Sequence, residues 1–425
     1  MPVITQPLPL IRRQRFYYGW VIVATVALAS FSQSAGTHPV LSVLLGPITS
    51  EFGWSRTLFT GAVTVGTLAG AVAALFVGRV IDRLGGRWIL TASLFLLGLS
   101  FVLMAFITAI WQLYFLQIMG RMLTMGVVVL ALQVAVPKWF IAKRGLAVAL
   151  AGLGGMAGNT VTPLYVQWVI NVADWRLATF VAGVVIWVVS VLPVAFFMRR
   201  QPEDIGLLPD GAESEAGVTR EGRVAATRAE VSFTLAQVVR FPAFYLLAAA
   251  FVLMFMVMPG TIFHLLPYLT DKGLAPGQGV WVLATWSAAG AAGALLAGLL
   301  APHIGIRRTL AGAFTFMALG LGFLLAVNSF PLGLLWGLYM GVLVGGIFST
   351  LYQVTFADYF GRESLGRING VIWPAQMVSN AAGPLVAAVA YDITGSYTAI
   401  FTLFGLLVLA CATLTFFARP PRREV

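Results

Sequence analysis

Apolar residues in this chain neither alternate nor recur at amphipathic intervals. They come in runs long enough to cross a bilayer, about 20 residues each, broken by short polar stretches. Twelve runs qualify, at 17–37, 57–77, 88–108, 111–133, 145–167, 178–198, 243–266, 279–300, 309–327, 331–356, 367–390 and 397–418. Most connections are short, which predicts antiparallel neighbours. The longest polar stretch, 199–240, includes RRQPEDIGLLPDGAESEAGVTREGRVAATRAE and reads as a flexible linker, with FTLAQVVRF after it predicting a short surface helix. It divides the spans six and six: 1–198 as a first six-helix bundle, 199–240 as linker and 241–425 as a second bundle.

Composition points to the same solvent. The 425 residues are 60% hydrophobic and 10% charged, against about 25% charged in soluble domains. Glycine is abundant, at 45 residues, as suits helices that pack closely in lipid. The first apolar run is too long for a cleavable signal. One cysteine, Cys411, excludes an internal disulfide, and His38, His264 and His303 are too scattered for metal-ligand spacing. No nucleophile–base pair, metal site or phosphate loop emerges, so the chain reads as a non-enzyme that needs no cofactor and no metal.

The net charge of +11 changes meaning once it is placed. With the N-terminus inside, 22 of the 26 Lys and Arg residues fall on one face, the retention signature of cytoplasmic loops. Arg56, Arg176 and Lys272 fall on the other face and Arg121 within a span. The basicity is a topology signal, not a nucleic-acid footprint, and it predicts both termini in the cytoplasm.

The halves repeat. Gly78, Gly85 and Arg87 recur 220 residues later as Gly298, Gly305 and Arg307, and Pro163 and Phe180 recur as Pro384 and Phe401. GRVIDRLGGR (78–87), between the second and third spans, resembles the signature of the major facilitator superfamily. GRMLTMG (120–126) and AGLGGMAGNTVTP (151–163) are similar to that superfamily's fourth and fifth helices. YYGWVIV (17–23), PKWFIAKRGLA (137–147), QPEDIGLLPDG (201–211) and DITGSY (392–397) resemble its bacterial monocarboxylate and oxalate/formate carriers. The resemblance implies an all-α integral membrane fold of twelve helices in two pseudo-symmetric six-helix bundles, in a bacterial inner membrane. It also implies a gating role for Gly78, Asp82, Arg83, Gly85, Arg87 and Arg307, beside the simpler reading of a glycine turn with topology charges. The second copy has Pro302 and His303 where the first has its acid and base.

Arg121 is the sharpest chemical feature, a lone charge about ten residues into the fourth span with no acid in any span to neutralise it. It reads either as a bidentate ligand for a substrate carboxylate or as a structural arginine held on carbonyls of the first or fifth helix. Gln117 shares its face. Thr261, His264 and Tyr268 form a stripe on the seventh span, where His264 reads as an anion donor, a titrating switch or a packing residue. Gln33 lies in a polar cluster with Ser30, Ser34 and Thr37; Asn159, Tyr352, Gln353, Trp373, Gln376 and Asn380 add polar or aromatic positions. Gly333, Gly337, Gly341 and Gly345 make a smooth stripe on the tenth span. The oxalate/formate and monocarboxylate branch is associated with a basic residue in the eighth or eleventh helix; both spans lack one here, which argues against a dianion.

Together these features predict a monomeric secondary active transporter for a small organic anion, working by alternating access. With no membrane-embedded carboxylate, a coupled proton falls to His264, His38 or the substrate's own carboxylate, and symport and antiport both stay open. Rival readings are a drug or metabolite exporter on the same scaffold and a non-transporting membrane sensor.

Overall fold

The computed structural model describes residues 17–84, 86–140, 143–208, 210, 233–360 and 365–421, and the elements among them are helical. Twelve long helices follow in order: α1 (Gly19–Phe52), α2 (Arg56–Leu84), α3 (Gly86–Met104), α4 (Ile110–Lys138), α5 (Arg144–Val172), α6 (Trp175–Phe197), α7 (Pro242–Asp271), α8 (Pro276–Ile304), α9 (Ile306–Ala326), α10 (Phe330–Phe360), α11 (Leu365–Thr394) and α12 (Thr398–Phe417). Ten are long and apolar enough to cross a membrane. The other two, α5 and α11, are of 29 and 30 residues and carry amides such as Asn159, Gln167, Gln376 and Asn380. Large apolar side chains on the outer surface, Phe76, Trp111 and Leu295 among them, face where lipid tails replace water.

Two local departures from the sequence reading matter. The first span does not stop near residue 37. Helix α1 tightens at Ser34–Gly36, passes through an extended Thr37 (φ −94°, ψ 166°) and resumes at His38 to end at Phe52. Pro39 causes the break, since it has no amide hydrogen to return to Ala35. The second departure corrects the turn assigned to GRVIDRL: α2 stays helical through Leu84, so Gly78 is a helix residue and not part of the reversal. Gly85 lies outside the described residues, as do the side chains of Asp82 and Arg83. In the second half Gly305 takes the reversal, with φ 89°.

The repeat is visible in the packing. Helices α2 and α4 pair in the first half, α8 and α10 in the second. In the first pair Gly66 lies against Arg121; in the second, Trp286 lies against Gly341. Both members are shifted by 220 positions, so the large residue has changed sides while the total bulk is kept. Immediately after Arg121 the helix widens into a π turn over Met122–Val128, and α10 widens likewise over Gly341–Phe348. Such wide turns free backbone groups and collect at functional positions.

Between the halves, α7 packs on the second segment of α1, α11 on α2, and α8 on α5. The first and last helices bring the chain to the same face, here termed the terminal face. The opposite one is the far face.

Candidate functional site

Arg121 sits at the α1 break. Its Nη1 donates to Gly36 O at 2.7 Å, and Nε and Nη2 donate to Thr67 Oγ1 at 3.1 and 2.9 Å. His38 Nε2 lies 3.4 Å from Nη2. The break exposes a carbonyl that the membrane cannot hydrate, and the guanidinium satisfies it. Arg121 is 1% exposed. The ion pairs among the described residues are Arg56–Asp271 and Arg176–Glu51, so the Arg121 charge is met by dipoles and no carboxylate.

The same broken segment walls a cavity. Ser30, Gln33, Ser34 and Thr37 of α1, Gln133 of α4 and Gly152, Gly155 and Asn159 of α5 line about 240 Å³ on the terminal side of the break. Thr37 Oγ1 donates to Asn159 Oδ1 at 2.9 Å, and Ser34 and Thr162 share a hydrogen bond of 2.8 Å. The lining of that cavity comes from the first half; within the second half, Tyr352 donates to Gln376 Oε1 at 2.9 Å, and the buried Gln376 Nε2 and Trp286 Nε1 have no acceptor among the described residues. Buried donors without partners are costly, and two of them suit a ligand that brings lone pairs. Trp373 and Asn380 are half-buried on α11, and Gln353 is exposed with its amide on Ser349 O.

Other positions singled out in the sequence are occupied elsewhere. Gln117 donates to Met104 Sδ at 3.6 Å, and Tyr268 donates to Leu324 O of α9 at 3.1 Å; both are spent inside their own halves. Thr261 returns its hydroxyl to Val257 O. His264 is fully buried: Nε2 faces Pro384 O and Nδ1 faces the Tyr397 hydroxyl, both at 2.9 Å. A carbonyl can only accept, so Nε2 carries the hydrogen and Tyr397 donates to Nδ1. Arg87 donates to Ala195 O and stacks near Trp88, tying α3 to α6 on the terminal face. Arg307 is half-buried at the start of α9. The glycine stripe of α10 is spent on α8, where Cβ atoms at Gly337 and Gly341 would meet the carbonyls of Val282 and Trp286.

One cluster escaped the sequence reading. On the far face Arg56, at the start of α2, makes a two-pronged ion pair with Asp271 of α7, both bonds 3.1 Å. It also donates to Tyr397 Oη at 2.7 Å and lies 3.8 Å above the Tyr391 ring. Beside it, Asp392 accepts from Thr57 N at 2.9 Å. The Tyr397 hydroxyl thus accepts from Arg56 while it donates to His264 Nδ1. Deeper, Thr64 donates to Ala381 O and Leu266 N donates to Ser42 Oγ. These hydrogen bonds all join the two halves, and all lie toward the far face, which is closed. The signal available in the sequence was Arg56 itself, one of three basic residues assigned to that face, with Asp271 and DITGSY as acidic and aromatic partners.

A family model described as Major Facilitator Superfamily matches residues 22–375, and again 265–425. Monocarboxylate transporter 2 of Homo sapiens is 22% identical over 93% of this chain and 84% of its own length. Monocarboxylate transporter 12-B of Danio rerio is 24% identical over 94% and 86%. A solved D-xylose-proton symporter superposes with a TM-score of 0.71, at 13% identity, over 95% of this chain and 98% of that one, a likeness of fold.

Proposed function

Because the chain belongs to the Major Facilitator Superfamily, we propose that this multi-pass membrane transporter carries a small organic monoanion, monocarboxylate-like, by alternating access. The observation that carries the reading is Arg121. It is a buried positive charge with no carboxylate partner among the described residues, held on a segment of α1 that is also a cavity wall. A carboxylate about 8 Å away would gain about 2 kcal/mol at an effective dielectric of about 20. A dication or a second anionic group has no matching charge in that wall. The resemblance to monocarboxylate transporters points to the same substrate class.

In this proposal the two halves, 1–198 and 241–425, rock as units about the seam, and the closed far face is one end of the cycle. Arg121 works from behind the α1 break, through its field and by fixing the segment that bears Thr37. Asn159, Gln33 and Gln133 supply neutral donors and acceptors from the first half; Gln376, Tyr352 and Trp286 supply them from the second. The termini face the cytoplasm, as the placement of 22 of 26 basic residues argues; a bacterial inner membrane is what the resemblance of YYGWVIV, PKWFIAKRGLA, QPEDIGLLPDG and DITGSY to bacterial carriers implies. A proton is the candidate coupling ion, as in the symporter of similar fold.

The test is a thermal-shift screen of purified protein against small carboxylic acids, followed by uptake of each hit into proteoliposomes. At least one monocarboxylate is expected to stabilise the protein and to be taken up, and Arg121→Gln is expected to lose both effects while still being expressed. Uptake that persists in Arg121→Gln, or stabilisation by neutral solutes alone, would overturn the proposal.

A further inference from the structure

A second polar cleft lies on the far face, outside the closed gate. Its volume is about 450 Å³, and both halves line it: Ser42, Gln167 and Asn171 from α1 and α5, Thr270 and Asp271 from α7, with Arg56 at its edge. Its amides are already oriented. Gln167 donates to Asn171 Oδ1 at 2.7 Å, so the carboxamide nitrogen of Asn171 and the carbonyl of Gln167 remain for a guest. The one cation in this lining is Arg56, and its side chain is 20% exposed while its partner Asp271 is 35% exposed. The ion pair that closes the gate is therefore within reach of a solute in the cleft.

We propose that this cleft is a recruitment site for a small carboxylate, and that the arriving carboxylate displaces Asp271 from the fork of Arg56 and so loosens the far gate. The chemistry is exchange of like for like. Asp271 offers Nη1 and Nη2 two oxygens at 3.1 Å each, the arrangement any carboxylate gives a guanidinium. Arg56 belongs to the first half and Asp271 to the second, so the exchange moves a bond that spans the seam to one that does not. Asp271 is the more exposed partner and can turn to water. Arg56 keeps its attachment to Tyr397, 2.7 Å from Nη1, and its stacking on Tyr391, which hold the fork in place to receive the guest. Asp392 is engaged with Thr57 N and repels an anion from the seam side, and Lys272, 5.7 Å from the Tyr268 ring centre, adds positive charge beside Asp271. No proton or electron is transferred; one ion pair is traded for another.

The experiment reads occupancy directly in the full-length chain in proteoliposomes, with Cys411 left in place because it is buried. Asn171→Cys, in the cleft, is labelled by a membrane-impermeant maleimide with and without sodium pyruvate, with methyl pyruvate and sodium chloride as uncharged and inorganic controls. Pyruvate alone is expected to slow labelling. Adding Asp271→Asn removes the resident competitor and should lower the protecting concentration about fivefold; adding Arg56→Gln should abolish protection. Arg56→Lys, which keeps the charge and loses the fork, is read if Arg56→Gln does not survive purification, and protection should weaken there as well. The gate is read in parallel at Thr64→Cys, below the lock, whose labelling from the far side should rise with pyruvate and be high without it in Asp271→Asn. Equal protection in Arg56→Gln or Arg56→Lys, or protection no stronger in Asp271→Asn, overturns the proposal. The inference rests on the carboxylate reading, yet the two fail separately. Protection without uptake would leave the cleft and remove pyruvate transport, whereas pyruvate uptake without protection would leave the carrier and remove the cleft.

Discussion

At the scale of single residues, burying a guanidinium among helices is tolerable only when most of its donors find acceptors. Arg121 sets three of its five N–H donors on Thr67 Oγ1 and Gly36 O, one on α2 and the other at the α1 break, and Nη2 also faces His38 Nε2. Hydrogen bonds to a charged group contribute about 1.5–3 kcal/mol each. Thr67→Val keeps the shape and removes the acceptor, so it is expected to lower stability by about that amount and to reduce uptake. Thermal denaturation and proteoliposome flux check both, and an unchanged melting temperature would refute the assignment. Arg121→Lys is expected to resemble Arg121→Gln, because a single ammonium cannot span Gly36 and Thr67 together. That Arg121 mattered was legible from its isolation in an apolar run. Carbonyls of the first or fifth helix were also legible as its structural acceptors, and Gly36 O is one of them; which carbonyl was not legible, because the α1 break depends on Pro39 interrupting a helix whose hydrophobic pattern simply continues.

At the scale of elements, close helix approach does the work that apolar burial does in water. The α8–α10 pair shows it most plainly, since a Cβ at Gly341 would stand 2.2 Å from Trp286 O and 2.8 Å from Ala289 Cβ. Gly312 on α9 has open space beside it. Glycine-to-alanine changes within helices ordinarily stabilise, by about 0.5–1 kcal/mol. Gly312→Ala should follow that rule and Gly341→Ala should reverse it, with loss of monodisperse protein on size-exclusion chromatography; equal behaviour of the two would deny that the α8–α10 contact is tight. The glycine stripe itself was readable at its four-residue spacing. Which helix it met was not, because spacing defines a face and leaves its neighbour open. The same limit explains Tyr268 and Thr261: a shared stripe with His264 did not place them at a shared site, since α7 touches α9, α11 and its own backbone along that length. The twelve spans and the 220-residue repeat were legible because lipid demands unbroken apolar length and duplication preserves offsets.

At the scale of the whole molecule, two similar halves meet through polar contacts gathered at one face. The far-face lock uses Arg56, Asp271, Asp392 and Tyr397, residues from turns and helix ends where hydropathy carries no signal, and only the fold brings α2, α7 and α11 together there. Closure at one face and a polar cavity toward the other is what the alternating-access proposal expects at one end of the cycle. The most direct measurement is a pair of spin-label distances across the seam in proteoliposomes, from Ser50 to Lys272 at the far face and from Lys143 to Arg367 at the terminal face. Alternating access predicts opposite changes: Asp271→Asn should populate a longer far-face distance together with a shorter terminal-face distance. Two distances that stay fixed in Asp271→Asn, or that lengthen together, would contradict it.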